Sequence, residues 1–339
     1  MIKRAAIIGD GAMGTLSALL LAQNGRRVRM WSAFEEHARD LRRERENKRF
    51  LPGFPLPETL AVSTDAAQVC DGAEVVVIAV PTRHLRGVLE RVREALPAEA
   101  LYVSVVKGIE RETLLRPSEV FQAVVGGNRR VVILSGPCLS REVAAGLPAT
   151  VVVASRNAKD AEAARDAFST PYFRIYTNDD PVGVELGGAL KNITAIAAGI
   201  CDGLELGSNA KAALVTRGLV EMTRLGTALG ARAETFAGLA GLGDLVTTCV
   251  SGLSRNHHVG QELGRGRRLD EVLAEMGRVE AEGVETTRSV VALAAKCGVE
   301  MPITQEVHAV LFEGKPAPDA LADLMSRRPK SEAARGQAP

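Results

Sequence analysis

Lys107, Lys191, Asp244 and the run Ser254-Arg255-Asn256 are the residues whose types and neighbours suit chemistry. Lys191 stands in Glu185-Leu186-Gly187-Gly188-Ala189-Leu190-Lys191-Asn192-Ile193-Thr194-Ala195, a stretch built otherwise of small and aliphatic residues. Small neighbours leave room for a ligand, and apolar surroundings disfavour an ammonium and lower its pKa toward neutrality. A lysine tuned in this way can pass a proton to a carbonyl oxygen near pH 7. The alternative is a lysine snorkelling from a buried helix to water. Asp244 lies in Gly241-Leu242-Gly243-Asp244-Leu245-Val246, an apolar and glycine-rich setting. It either satisfies local amides at a helix start or orients a lysine and balances its charge.

Arg255 offers a planar fork suited to a phosphate dianion, and Ser254 before it reads as an N-cap. Otherwise Arg255 is a solvated surface cation. Lys107 directly follows the apolar run 101–106 and must reach solvent or an anion. His257 and His258 are adjacent, so on a helix they face different ways; both read as surface or cleft-rim residues. None of the five histidines has i, i+4 spacing, and no metal is expected.

These residues need elements to hold them. Gly9-Asp10-Gly11-Ala12-Met13-Gly14 follows an apolar strand (5–9) and opens a helix from Ala12 to Asn24, with Gly25 as its stop. In G-x-G-x-x-G the first glycine makes the tight turn, the second admits a pyrophosphate and the third packs the helix on the sheet. Free amides at the helix N-terminus then face the phosphates. The loop therefore predicts a dinucleotide, NAD or NADP. An acid about 20 residues further on signals NAD and an arginine NADP. Here the second strand, Arg27 to Trp31, runs into Ser32-Ala33-Phe34-Glu35-Glu36, where the glutamates begin the next helix. The preference stays open.

Further strands are expected at 74–80, 101–106, 131–135, 150–154 and 173–176. Unbroken Val/Ile runs mark strands buried on both faces, as in parallel sheets, and their alternation with amphipathic stretches predicts a doubly wound Rossmann-like α/β domain over 1–181. Residues 182–328 form an all-helical substrate and catalytic domain. Asp179-Asp180-Pro181 reads as cap and first turn of a helix over 182–202. Helices are also predicted at 209–229, 242–249, 255–264, 269–276, 284–297, 302–313 and 317–327. The polar residues 329–339 are expected to be a disordered tail.

Length and composition agree with this division. The 339 residues suffice for two cores, with 46% hydrophobic and 24% charged. A net charge of +1 gives no electrostatic reason to expect nucleic acid or an anionic membrane, and 4% aromatics argue against stacking on single strands. Five irregularly spaced cysteines (70, 138, 201, 249, 297) contain no C-x-x-C pair and fit a reducing cytosol. The start Met1-Ile2-Lys3-Arg4 is unlike a signal peptide, and no uninterrupted apolar run approaches the ~20 residues of a membrane span.

Taken together these runs resemble the bacterial-type NAD(P)-dependent glycerol-3-phosphate dehydrogenase family. The resemblance rests on Ile8–Thr15, Lys107-Gly108, Ser135-Gly136-Pro137, Glu142–Pro148, Gly187–Gly199, Asn209–Gly226, Ala240–Cys249, Ser254-Arg255-Asn256 and Val299–Thr304. It implies reversible hydride transfer between NAD(P)H and dihydroxyacetone phosphate, giving sn-glycerol 3-phosphate for glycerophospholipid synthesis. It further implies a cytoplasmic homodimer without metal.

By the same resemblance Lys191 is the proton donor and acceptor at the substrate C2 oxygen, with Asp244 supporting it. Lys107 lies between cofactor and substrate. Gly136, Cys138, Ser254, Arg255 and Asn256 line the substrate. Gly9, Gly11, Ala12, Met13, Gly14, Ser140 and Glu282 lie along the cofactor, with Arg255 also near it. Three positions depart from the family pattern. Met13 replaces an aromatic, Ser32-Ala33 lack the usual basic residue, and Cys138 replaces Ser or Thr. The segment around Glu280 is about one residue longer than usual. Two other readings are a related β-hydroxyacid-type dehydrogenase and a non-catalytic dinucleotide-sensing module. Ala195, one turn after Lys191, argues against the first, and the joint presence of Lys191, Asp244 and Arg255 against the second.

Overall fold

The short Val/Ile runs become strands buried on both faces because helices cover each side of one sheet. The computed structural model describes residues 2–277, 281–329 and 331. Its strands are β1 (Arg4–Ile8), β2 (Arg27–Trp31), β3 (Glu46–Asn47), β4 (Leu51–Pro55), β5 (Ala61–Ser63), β6 (Val75–Ile78), β7 (Leu101–Ser104), β8 (Arg130–Ser135), β9 (Ala149–Ala154) and β10 (Phe173–Asn178). Eight of them form a sheet in the order β10-β9-β8-β7-β6-β1-β2-β5, and β3 pairs with β4 alone.

The first half contributes helices α1 (Ala12–Gln23), α2 (Glu35–Glu44), α3 (Ala66–Cys70), α4 (Thr82–Val92), α5 (Pro117–Val125), α6 (Ser140–Ala144) and α7 (Ala158–Phe168). Strand alternation sends Ile7, Val75, Val77 and Val103 to the face covered by α1 and α7. Ala6, Ile8, Val76, Ile78 and Tyr102 face α4 and α5 on the other side. The doubly wound architecture is as the sequence predicts, with one difference. β8 and β9 pair antiparallel, Ile133 opposite Ala154 and Ser135 opposite Val152. Periodicity cannot reveal this, since a strand buried on both faces reads the same in either direction. β5 and the β3–β4 pair also escape the sequence, because strands of two to five residues with little apolar pattern carry no periodic signal.

The second half is helical: α8 (Pro181–Gly203), α9 (Gly207–Ala228), α10 (Ala233–Phe236), α11 (Asp244–Val250), α12 (Arg255–Gly264), α13 (Leu269–Met276), α14 (Glu282–Cys297), α15 (Pro302–Phe312) and α16 (Ala317–Ser326). All eight predicted helices are present, and the four-residue α10 is additional. α8 begins as expected, with Pro181 in the first turn and the Asp180 side chain accepting from the Gly183 amide at 3.0 Å. It is long and apolar enough to cross a membrane, but 94% of its most apolar window is buried inside the protein. Its burial on all sides makes it the central post of the helical half.

α12 lies against α8 with backbone touching backbone. A Cβ at Gly199 would collide with the His257 carbonyl, and one at Gly260 with the Ile196 carbonyl. Only glycine permits this approach, which brings the start of α12 beside the middle of α8. Of the predicted tail, residues 330 and 332–339 lie outside the described residues, as do 278–280, including Glu280.

Candidate active site at the strand ends

Lys107 and Gly136 follow the carboxyl ends of β7 and β8, and α8 passes directly over them. Gly188 makes the passage possible, since a Cβ there would come within 2.6 Å of Ser135 Oγ and 3.5 Å of the Lys107 stem. One helical turn is thereby aimed at the strand ends, with Lys191 on it. Asp244 arrives from the far side, as the first residue of α11. It is preceded by the π-type turn Leu239–Gly243, closed by the Gly243 amide on the Gly238 carbonyl at 3.1 Å. Such turns recur at functional sites because they re-aim the residue that follows.

The three charged residues meet in one buried cluster. Lys191 Nζ donates to Asp244 Oδ1 at 2.7 Å and to Thr248 Oγ1 at 2.6 Å. Lys107 Nζ donates to Asp244 Oδ2 at 2.5 Å and to the Gly136 carbonyl at 3.3 Å. The Thr248 hydroxyl donates onward to the Asp244 carbonyl at 2.6 Å, which leaves its oxygen free to accept from Lys191. Thr248 was not singled out by the sequence; its i+4 spacing from Asp244 was the available signal.

Charge balance sets the titration of this cluster. Burial pushes the Lys191 ammonium down to about 8; the Asp244 carboxylate opposes this, while the Lys107 charge adds to it. Burial also acts against the Lys107 charge, but Asp244, with help from Cys138 and Glu282, more than offsets it and holds Lys107 above the ordinary lysine value. Asp244 stays below the ordinary carboxylate value: burial would raise it, but two lysines outweigh that cost. One carboxylate shared by two ammonium groups leaves the pair short of negative charge, and Lys191 carries the shortfall. Burial pushes the Cys138 thiol up to about 12, so it is neutral at ordinary pH and a weak hydrogen-bond partner.

The remaining predicted residues fall around this centre. Ser254 caps α12, accepting from the His257 amide at 3.2 Å. Asn256 is buried, donating to Asn192 Oδ1 at 3.0 Å and accepting from the Gly283 amide at 2.9 Å. That amide belongs to the first turn of α14, so Glu282 stands at the same helix start, and its charge is felt by both lysines. Arg255 is exposed, and among the described residues its side chain makes no hydrogen bond or ion pair. His258 is exposed as expected, but His257 is buried and its Nε2 lies 2.7 Å from Asp202 Oδ2. The close approach of α12 to α8 buries it, a tertiary cause that local sequence does not carry.

The glycine loop has the shape its motif predicts. Gly9 has φ +112°, and a Cβ there would lie 2.5 Å from the Ala79 carbonyl oxygen. A Cβ at Gly14 would collide with the Gly9 carbonyl, whereas one at Gly11 meets nothing within 4 Å. The loop is thus closed on the protein side and open on the solvent side. Gly11 caps α1 without any side-chain hydrogen bond, and Ala12 and Met13 follow in its first turn. The Met13 sulfur accepts from Ser140 Oγ at 3.2 Å, tying the starts of α1 and α6 together. Near the neighbouring strand ends Thr82 Oγ1 and Ser135 Oγ are buried without a hydrogen-bond partner among the described residues. An open amide cradle and orphaned hydroxyls fit a dinucleotide laid across the strand ends. No group of three metal-binding side chains occurs among the described residues.

Comparison with known proteins agrees with this layout. Residues 4–161 match the model of the NAD-dependent glycerol-3-phosphate dehydrogenase N-terminus, and residues 180–322 that of its C-terminus. A glycerol-3-phosphate dehydrogenase of Geobacter sp. strain M21, named for NAD(P)+, is 49% identical over 98% of this chain and 99% of its own. The corresponding protein of Geobacillus thermodenitrificans is 50% identical over 96% of this chain and 95% of its own. The crystal structure of glycerol-3-phosphate dehydrogenase from Coxiella burnetii superposes with a TM-score of 0.92 at 41% identity, covering 96% of this chain and 99% of that one. Similarity of this degree over both halves, on the fold and motifs described above, shows that the chain belongs to the NAD-dependent glycerol-3-phosphate dehydrogenase family.

Proposed function

We propose that this chain interconverts dihydroxyacetone phosphate and sn-glycerol 3-phosphate using NAD(P)H. The observation that carries this reading is the Asp244 carboxylate shared between Lys107 and Lys191 at the strand ends, beside an open glycine loop. Gly9, Gly11, Ala12, Met13, Gly14, Ser140 and Glu282 would hold the dinucleotide, whose nicotinamide supplies or accepts the hydride. Every other task falls to side chains of the chain itself.

An ammonium has three N–H donors. Lys191 commits one to Asp244 and one to Thr248, leaving one for the C2 oxygen of the substrate. In ketone reduction that proton passes to the oxygen as negative charge develops there, and in alcohol oxidation the neutral amine takes it back. Asp244 fixes the amine and balances its charge. Lys107, with one donor left after Asp244 and the Gly136 carbonyl, adds positive potential at the same oxygen. Arg255, exposed and without a partner among the described residues, is available to a phosphate dianion, with Ser254 and Asn256 beside it. Gly136 and Cys138 line the substrate from the sheet side, the thiol standing in as a weaker partner for a hydroxyl.

In this reading residues 1–181 bind the dinucleotide and residues 182–328 supply the substrate site. Five free cysteines support a reducing cytoplasm as its compartment. The family resemblance supports a homodimer and supply of glycerol phosphate for phospholipid synthesis. The test is the initial rate of absorbance loss with dihydroxyacetone phosphate, NADPH and NADH run side by side. Turnover is expected with at least one. Folded protein that binds nucleotide but turns over neither would overturn the assignment.

A further inference from the structure

The strand-two tip alone leaves the cofactor preference open, and a side chain of the glycine loop reaches that tip. Ser32, at the end of β2, is fully buried, and its hydroxyl donates to Asp10 Oδ2. Asp10 is therefore drawn from the glycine loop to the tip of β2, where dinucleotide-binding folds carry the group that reads the adenosine ribose. The loop is braced from below: Asn47 Nδ2 donates to the Asp10 carbonyl at 2.8 Å and to Thr15 Oγ1 at 2.7 Å. The carboxylate is not sealed in, its side chain keeping 16% exposure. His37 is buried beside it, with Nε2 3.8 Å from Asp10 Oδ2 and no hydrogen-bond partner for that nitrogen among the described residues. Two arginines near the β2 tip are engaged elsewhere. Arg42 is held by Glu35 and the Val62 carbonyl, and Arg91 lies over the Trp31 ring and donates to the Ala33 carbonyl.

Resting on the dinucleotide reading above, we propose that Asp10, held by Ser32, makes this chain select NADH over NADPH. A ribose 2′-hydroxyl is a donor that a carboxylate accepts. A 2′-phosphate carries close to two negative charges at neutral pH and would meet that carboxylate as a like charge.

Direct binding tests this apart from catalysis. Trp31 is the single tryptophan, placed next to Ser32, and the loss of its emission on binding a reduced dinucleotide is the readout. Titrations with NADH and NADPH are expected to give an affinity ratio of at least about tenfold in favour of NADH. Asp10→Asn keeps the shape and removes the charge, and should narrow that ratio about tenfold, mainly through tighter NADPH binding. Asp10→Ser serves as a second, smaller replacement. Equal affinities in the parent chain, or a ratio unchanged in both variants, would overturn the proposal. Failure to bind either dinucleotide overturns both this proposal and the functional reading. A clear NADH preference without turnover of dihydroxyacetone phosphate keeps this proposal and overturns only the substrate assignment.

Discussion

Lys191 Nζ sits 2.7 Å from Asp244 Oδ1, although 53 residues separate the two in the chain and both side chains are buried. Asp244 also serves Lys107, so one negative charge holds two positive ones. Burial, only partly offset by this shared carboxylate, leaves a lysine poised near 8, able to act as acid or base close to neutral pH.

Replacing Lys191 by Ala should lower kcat by roughly 10²–10⁴-fold while leaving dinucleotide binding intact. In the parent enzyme the direction of reaction sets the pH response. Ketone reduction needs the ammonium, so its rate should be flat below about 8 and fall as pH rises through that value. Alcohol oxidation needs the neutral amine, so its rate should rise through the same value and then level off. Profiles of kcat in the two directions check this, and parallel profiles would refute the role.

Asp244→Asn removes the main influence on Lys191 that opposes burial, leaving only the weaker one of Glu282. The Lys191 pKa should then fall below 8, moving both profiles to lower pH and suppressing ketone reduction at neutral pH. Two buried ammonium groups would also lose their counter-charge, costing about 3–5 kcal/mol of stability. Urea unfolding read together with the pH profile separates the two effects. An unmoved profile would mean that Asp244 is only structural.

Arg255→Ala should raise KM for the phosphorylated substrate roughly 10–100-fold, the worth of a charge-assisted contact, with a smaller change in kcat. The melting temperature should not move, because the side chain has no partner among the described residues. An unchanged KM would remove its phosphate role.

Gly11 and Gly14 should respond in opposite ways to the same substitution. Gly11→Ala places a methyl group in open space, so the melting temperature holds while dinucleotide affinity drops at least about tenfold. Gly14→Ala drives a methyl group into the Gly9 carbonyl and should destabilise the fold by about 1–3 kcal/mol. Calorimetry and nucleotide titration on both variants check this; equal thermal losses would show that the loop is not open at Gly11.

The sequence by itself determined what depends on neighbours along the chain. Unbroken aliphatic runs marked the main strands, 3.6-residue periodicity and caps such as Asp180-Pro181 marked the helices, and G-x-G-x-x-G announced the turn that opens α1. Apolar neighbours around Lys191 already gave the direction of its shift, since desolvation acts through immediate surroundings. Tertiary structure decided what depends on distances across the fold. It made one carboxylate serve Lys107 and Lys191, from strand ends and helices far apart in the chain. It buried His257 where glycines let α12 touch α8, and it turned β9 antiparallel to β8. It also drew Asp10 to Ser32, 22 residues away, which no motif spacing indicates. Coulomb and hydrogen-bond energies depend on separation in space and on the exclusion of water. Neither is set by position in the sequence until the chain has folded.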